Sequence, residues 1–328
     1  MKALCFDRFG GPEVLYYGDF PDPVLQPGIA IVRPRAAGLN FADIYRRRDN
    51  YHLAGAPPYV AGYEGAGVIE AFAPGEVVTG KMADFKVGDR VAFADSPFAN
   101  AELVAVPFEK LVLLPADVSF ETAAALMLQG LTAHYLTRDS HNVRAGETAL
   151  VHAAAGGVGL LLIQFIKLLG GKALGVTSSA EKSAAALAAG ADKAVLYEED
   201  WVEAAGDFGG DGKGVDVVYD SVGSTLDDSL KSARTGGHIV FYGMAGGDPA
   251  FVDPRRLMDE SKTLTGGDLW NVLTTHRERL IRTTELFDWV RQDRLRVRIA
   301  RTYQLARGAE AHAFLESRQA IGKILLVP

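Results

Sequence analysis

The most restrictive local pattern in this chain is a short apolar strand that runs into a glycine turn and out into an apolar helix. Ala149-Leu150-Val151 gives the strand, Gly156, Gly157 and Gly159 sit at the joint, and Val158 to Leu169 gives the helix. Glycines permit a tight turn and remove the Cβ atoms that would hold a ligand away from the backbone. The helix start offers unpaired N–H groups and the positive end of its dipole, a setting that suits a pyrophosphate. Strand, glycine turn and helix in that order is the context in which such glycines signal nucleotide binding; the alternative is a turn packed for structure alone. Only Gln164 and Lys167 are polar within the helix, so it is expected to lie buried against a sheet.

At 328 residues the chain has room for about two domains. Apolar residues make up 48% and charged residues 23%, enough for a large core. A net charge of −7 gives no electrostatic help with nucleic acid or an anionic membrane, and neither is expected as a partner. The single cysteine, Cys5, excludes an internal disulfide and any Cys-based zinc cluster. Met1-Lys2 leads directly into a strand-like segment with no apolar signal region, and the longest apolar helix candidate is too short to span a bilayer. The expectation is a cytoplasmic enzyme.

Residues 1 to about 122 read as β-rich. Met1 to Phe6, Ile29 to Pro34, Glu64 to Phe72 and Arg90 to Ala94 alternate or run apolar between Gly, Pro and Asp, as in a partly closed barrel. Alanines and leucines from Glu121 to Leu136 predict one or two helices. From Glu147 strands and helices alternate. Strands are expected at Thr148–Val151, 172–177, 193–196, 215–219 and 237–242, with helices at 158–169, 180–189 and 225–233. This alternation implies a doubly wound parallel sheet. The pattern breaks after about Thr263. Helices near 276–293 and 309–316 and a last strand at 323–327 follow, and this tail is expected to return to the first domain.

Five stretches carry a resemblance to a known family. They are Ala36-Ala37-Gly38-Leu39-Asn40-Phe41-Ala42-Asp43-Ile44-Tyr45, Gly62-Tyr63-Glu64-Gly65-Ala66-Gly67, His152 to Gly159, Tyr219-Asp220-Ser221-Val222-Gly223, and the ending Ala320 to Pro328. In that order they resemble the medium-chain dehydrogenase/reductase superfamily, and more narrowly its zinc-free quinone oxidoreductase, ζ-crystallin-like branch. The resemblance implies an α/β chain with a GroES-like β-barrel catalytic domain (1–122 and 264–328) and a Rossmann NADPH-binding domain (123–263). It also implies a homodimer, formed by edge strands of the nucleotide domain near Phe251.

Zinc-bearing members of that superfamily use a Cys, a His-Glu pair and a further Cys or Asp. Here the matching positions hold Asn40 and Tyr63-Glu64. A catalytic zinc needs about three protein ligands, so no metal is expected. Glu64 reads as a structural carboxylate or, less simply, a catalytic one. The strand ending at Thr177 is followed by Ser178-Ser179-Ala180 rather than the acid that NAD-preferring proteins place there. By resemblance Ser178, Lys182 and Tyr197 hold the 2′-phosphate of NADPH, chemistry in which hydroxyl and ammonium groups suit an anion. Ser178 also reads as the cap of the following helix, and both roles are compatible.

The remaining cofactor contacts come from the same resemblance: Ala155, Gly156, Gly157 and Val158 at the turn, Ser221, Phe241, Gly243 and Met244 at strand ends, and Lys323. His152 reads as a packed strand-end residue. Asn40, Tyr45 and Tyr51 are the catalytic candidates in a first-domain loop, with Tyr45 ahead of Tyr51 as donor to the reduced carbonyl. Packing is the other reading of both tyrosines. Gln129 is placed near them with its role open. Arg46-Arg47-Arg48 reads as a solvated run, one member of which is a candidate phosphate contact.

Hydride transfer without a metal requires an acceptor that tolerates negative charge. The expected reaction is NADPH-dependent reduction of a quinone or other conjugated carbonyl. The alternatives are an enal, enone or enoyl-thioester reductase and a non-catalytic NADPH-binding protein of the crystallin kind.

Overall fold

The computed structural model describes residues 1–73, 85–210 and 212–328. The chain forms two compact units: Met1–Leu131 with Leu273–Asp293 and Val297–Pro328, and Thr132–Val272 with Arg294–Arg296.

The second unit is built on the glycine motif. Thr148–Val151 lies at the centre of a parallel sheet whose order is Lys193–Leu196, Lys172–Thr177, Thr148–Val151, Val215–Asp220, Ala233–Phe241 and Thr263–Gly266. Every side chain from Thr148 to Val151 is buried, as expected where helices cover a parallel sheet on both faces. The helix Gly157–Leu168 packs down through Leu160, Leu161, Leu162, Ile163, Phe165 and Ile166. Burial stabilises by about 2 kcal/mol for each such side chain. A Cβ on Gly159 would meet the Ala153 carbonyl oxygen at 2.5 Å, so glycine here sets the close approach of helix and turn.

Thr263–Gly266 was not legible as a strand. It pairs with Ala233–Phe241 (Val240 opposite Thr265) at the sheet edge, half exposed and without an apolar run.

The first unit holds two sheets. One runs in the order Ile299–Gln304, Lys323–Val327, Ile29–Leu39, Glu64–Phe72, Arg90–Ala94 and Leu111–Leu113, with Val104–Pro107 also paired to Ile29–Leu39. The other joins Tyr16–Asp19, Lys2–Phe6 and Tyr59–Val60. Val32, Ile69, Val91, Phe93, Val106, Phe108 and Leu111 form one core of this unit. Leu4, Phe6, Leu39, Ile44, Leu315 and Leu326 belong to a second, which ties the tail to the N-terminal strands.

The segment expected to be a loop around Tyr45 is instead the helix Phe41–Arg47. Asp43 reaches back to accept the Asn40 N–H at 2.9 Å, which satisfies a donor at the helix start. The arginine run is not solvated either. Arg46 and Arg47 are 2% and 1% exposed, and only Arg48 faces water. Arg46 lies 3.4 Å over the Tyr63 ring, and Arg47 pairs with Glu316, so long stems and planar heads are used for packing. Among the described residues no helix is long and apolar enough to cross a membrane.

Candidate active site

The candidate residues fall into two groups, one in each unit. In the second unit they follow the carboxyl ends of the parallel strands, where ligands bind in open α/β sheets. Ala155, Gly156, Gly157 and Val158 form the turn and the first helical residues. Gly156 is in extended backbone (φ −71°, ψ 169°) and has no side chain to cap the helix, whose first turn also carries no acid. Glycine flexibility does not hold the turn open alone. Ala153 sits in the left-handed region at φ 48°, and its N–H donates to the Tyr197 hydroxyl at 2.9 Å. A left-handed alanine costs about 1–2 kcal/mol.

Behind the turn runs a buried chain of hydrogen bonds. Ser229 donates to Asp220 Oδ2 at 2.7 Å, so its oxygen receives the His152 Nε2–H at 2.9 Å. His152 Nδ1 is then left to accept from the Tyr197 hydroxyl at 3.2 Å. Asp220 also takes the Val222 and Gly223 N–H groups and the Thr225 hydroxyl. Burial pushes the His152 pKa down to about 4, against the pull of Asp220 and Asp228, so the ring is neutral at neutral pH. Burial works against the Asp220 charge, but His152, Ser229 and the two N–H groups outweigh it and hold its pKa low. His152 is a packed residue, as its sequence position suggested. Ser229 had no signal in the sequence, because its role depends on a helix residue meeting a strand end.

Lys182 Nζ donates to Ser178 Oγ at 2.7 Å, which joins the two residues expected to act together. Ser178 is exposed. It does not cap the helix: Ser179 does, accepting the Lys182 N–H at 3.3 Å, since its extended backbone aims its side chain at the first turn. Tyr197, expected beside them, turns its hydroxyl to Ala153 and His152. Ser221 and Gly243 belong to adjoining loops zipped by the Ala245 N–H on the Ser221 carbonyl (3.0 Å) and the Gly246 N–H on Val222 (2.8 Å). Phe241 ends its strand and accepts the Gly267 N–H at 3.0 Å; Met244 follows in the loop.

In the first unit the centre is Glu64, which is fully buried. It accepts Lys323 Nζ at 2.5 Å, Asn40 Nδ2 at 2.7 Å and the Leu128 N–H at 2.6 Å. Lys323, 1% exposed, also donates to Asn40 Oδ1 at 2.7 Å, and Gln129 Nε2 reaches the same oxygen at 3.2 Å. The Asn40 amide is therefore held in one orientation from both ends. Gly38 makes room for this cluster, since a Cβ there would lie 2.3 Å from Glu64 Oε1. Tyr45 and Tyr51 form a separate aromatic group. Their rings meet edge to face at 6.5 Å, Phe41 lies 6.2 Å from Tyr45, and Arg46 sits 5.0 Å over Tyr51. Both tyrosines are half-buried. Among the described residues no group of three or more His, Cys, Asp or Glu side chains is placed to hold a metal ion.

The sequence matches two family descriptions, an alcohol dehydrogenase GroES-like domain over residues 26–145 and a zinc-binding dehydrogenase over residues 189–326. A quinone oxidoreductase of Pseudomonas aeruginosa is 40% identical over 330 aligned residues, covering 100% of this chain and 99% of that one. A 2-haloacrylate reductase of a Burkholderia species is 36% identical, again with 100% and 99% covered. Among solved structures, the Escherichia coli quinone oxidoreductase complexed with NADPH superposes with a TM-score of 0.94 at 36% identity and full coverage of both chains. One unit with a strand, glycine turn and helix at the centre of a six-stranded parallel sheet, and another whose larger sheet is mainly antiparallel, agree with these likenesses. The chain belongs to the quinone oxidoreductase family of the medium-chain dehydrogenase/reductase superfamily.

Proposed function

We propose that this protein is an NADPH-dependent, zinc-independent quinone reductase. The observation that carries the reading is the Ser178–Lys182 pair at the tip of the second strand, in a chain of this family. A hydroxyl and an ammonium at that tip suit a 2′-phosphate, whereas the acid of NAD-preferring proteins would repel it. The residues present fit the cofactor elsewhere too. The Gly156 turn offers uncapped N–H groups to a pyrophosphate, and Ser221, Phe241, Gly243 and Met244 lie at neighbouring strand ends. When bound, NADPH supplies the hydride.

The chain's own residues do the rest. Tyr45 donates a hydrogen bond to the acceptor carbonyl, and Tyr51 packs beside it. Asn40 is a fixed amide, oriented by Lys323 and Glu64. The donor set supports independence from zinc: the positions matching the family's ligands hold Asn40 and Tyr63, and the Glu64 carboxylate already faces an amide and an ammonium.

A conjugated acid or carbonyl acceptor is the second reading, favoured by the 36% identical 2-haloacrylate reductase. The test is NADPH oxidation by purified protein with 1,4-benzoquinone, 9,10-phenanthrenequinone, 2-chloroacrylate, an alkenal and crotonyl-CoA, with and without a chelator. The proposal expects fastest turnover on a quinone, slower use of NADH, and no chelator effect. Binding of NADPH with no turnover on any acceptor would leave only a nucleotide-binding role. We also read the protein as a homodimer formed through the edge of the parallel sheet, near the fully exposed Phe251. Sedimentation of a monomer at micromolar concentration would refute this.

A further inference from the structure

In the second unit two histidines that none of the contacts above involve face each other. His141 follows the helical turn Leu136–Ser140, and His238 lies in the strand Ala233–Phe241. Their Nδ1 atoms are 3.3 Å apart, with ring centroids at 5.1 Å and planes at 76°. Two imidazole nitrogens on one tetrahedral zinc, each at about 2.0–2.1 Å, stand about 3.4 Å apart. That separation stands at the long end for a hydrogen bond between nitrogens and equally matches the edge of a metal tetrahedron.

The outer nitrogens are also arranged as metal-bound histidines require. His141 Nε2 faces Glu147 Oε2 at 3.0 Å, and His238 Nε2 faces Thr265 Oγ1 at 2.6 Å. Histidines that bind metals almost always donate their second N–H to a carboxylate, carbonyl or similar acceptor, which fixes the ring and raises its basicity. Glu147 is itself anchored by the Arg144 N–H at 2.9 Å. The fully buried Tyr219 hydroxyl feels the Glu147 charge and makes no hydrogen bond among the described residues. His141 and Glu147 are partly exposed, with side chains 16% and 22% accessible.

We propose that His141 and His238 form a site for one divalent transition-metal ion of the zinc, nickel and copper class, oriented by Glu147 and Thr265. Imidazole selects that class over magnesium and calcium. With two protein ligands the remaining positions belong to water, so the site is exchangeable and distinct from the reducing chemistry. Its effect is to pin the turn 141–147 to the outer strands of the sheet.

The test is calorimetric titration of the chelator-treated full chain with Zn²⁺. One equivalent per chain is expected. His141→Gln and His238→Gln should each weaken binding at least tenfold, and Glu147→Gln about tenfold with the stoichiometry kept. The spectrum of Cu²⁺ bound to the unmodified protein, which needs no variant to fold, should show two nitrogen donors. Absence of stoichiometric uptake, uptake unchanged in either histidine variant, or a copper spectrum with fewer than two nitrogens would overturn the site. Full affinity in Glu147→Gln would refute the orienting carboxylate.

Discussion

Two lysines show how the same side chain serves opposite ends in the two units. Lys182 lies at the surface beside a hydroxyl, where its charge can meet an incoming anion. Lys323 is buried against Glu64 and Asn40, and its charge is used up internally. A surface pair is worth little to stability, whereas a buried pair is costly to break, because the partner left behind is an uncompensated charge. Stability changes should therefore track Lys323 and Glu64, and cofactor preference should track Lys182.

The strongest way to break this contrast is Glu64→Gln. It leaves the Lys323 ammonium buried without its counter-charge and should cost about 3–5 kcal/mol in denaturant unfolding. Adding Lys323→Met should recover much of that loss. A loss below about 1 kcal/mol in the single variant would mean that the pair is solvated after all.

Next in size is the response to acid. His152 has a folded pKa of about 4, below the ordinary 6.5, so the unfolded chain takes up the proton first as pH falls. The stability due to the neutral ring is complete above about pH 6.5 and is lost between there and about pH 4. Stability should fall by up to about 1.4 kcal/mol per pH unit for this one group. His152→Gln should flatten that slope by one proton in unfolding curves measured across the same range.

Tyr45→Phe sharpens the comparison on the catalytic side. It should lower kcat with a quinone by about tenfold or more while the Kd for NADPH changes little. Equal turnover would make this tyrosine a packing residue. The smallest effect belongs to the half-buried Lys182. Lys182→Ala should raise KM for NADPH by about tenfold, leave KM for NADH and the unfolding midpoint nearly unchanged, and so narrow the cofactor preference. Unchanged preference would remove Lys182 from the phosphate pocket.

How far these regions were legible follows from how locally each is encoded. The central strands announced themselves as short apolar runs, the first of them leading into the glycine turn, and Thr148–Val151 and Lys172–Thr177 stand where the runs stand. The strand Thr263–Gly266 did not, because an edge strand shares its burial with water. The helix Phe41–Arg47 was hidden by its arginines, whose burial rests on partners as distant as Glu316. Ser178 and Lys182 were readable as a pair because they lie four residues apart across a helix start. Lys323 was picked out in the sequence, but its union with Glu64 was not, since the two lie 259 residues apart and no local pattern marks a buried counter-ion. Tyr197 shows the same limit: its position was readable, but the direction of its hydroxyl was set by the turn it supports.

That turn has a consequence for binding. Ala153 keeps its left-handed backbone with a tyrosine hydroxyl and a buried histidine bracing it from behind. A loop tied to the protein by its own hydrogen bonds costs a bound nucleotide less affinity to arrange. Loosening the brace with Tyr197→Phe should leave the sheet intact and slow capture of the dinucleotide.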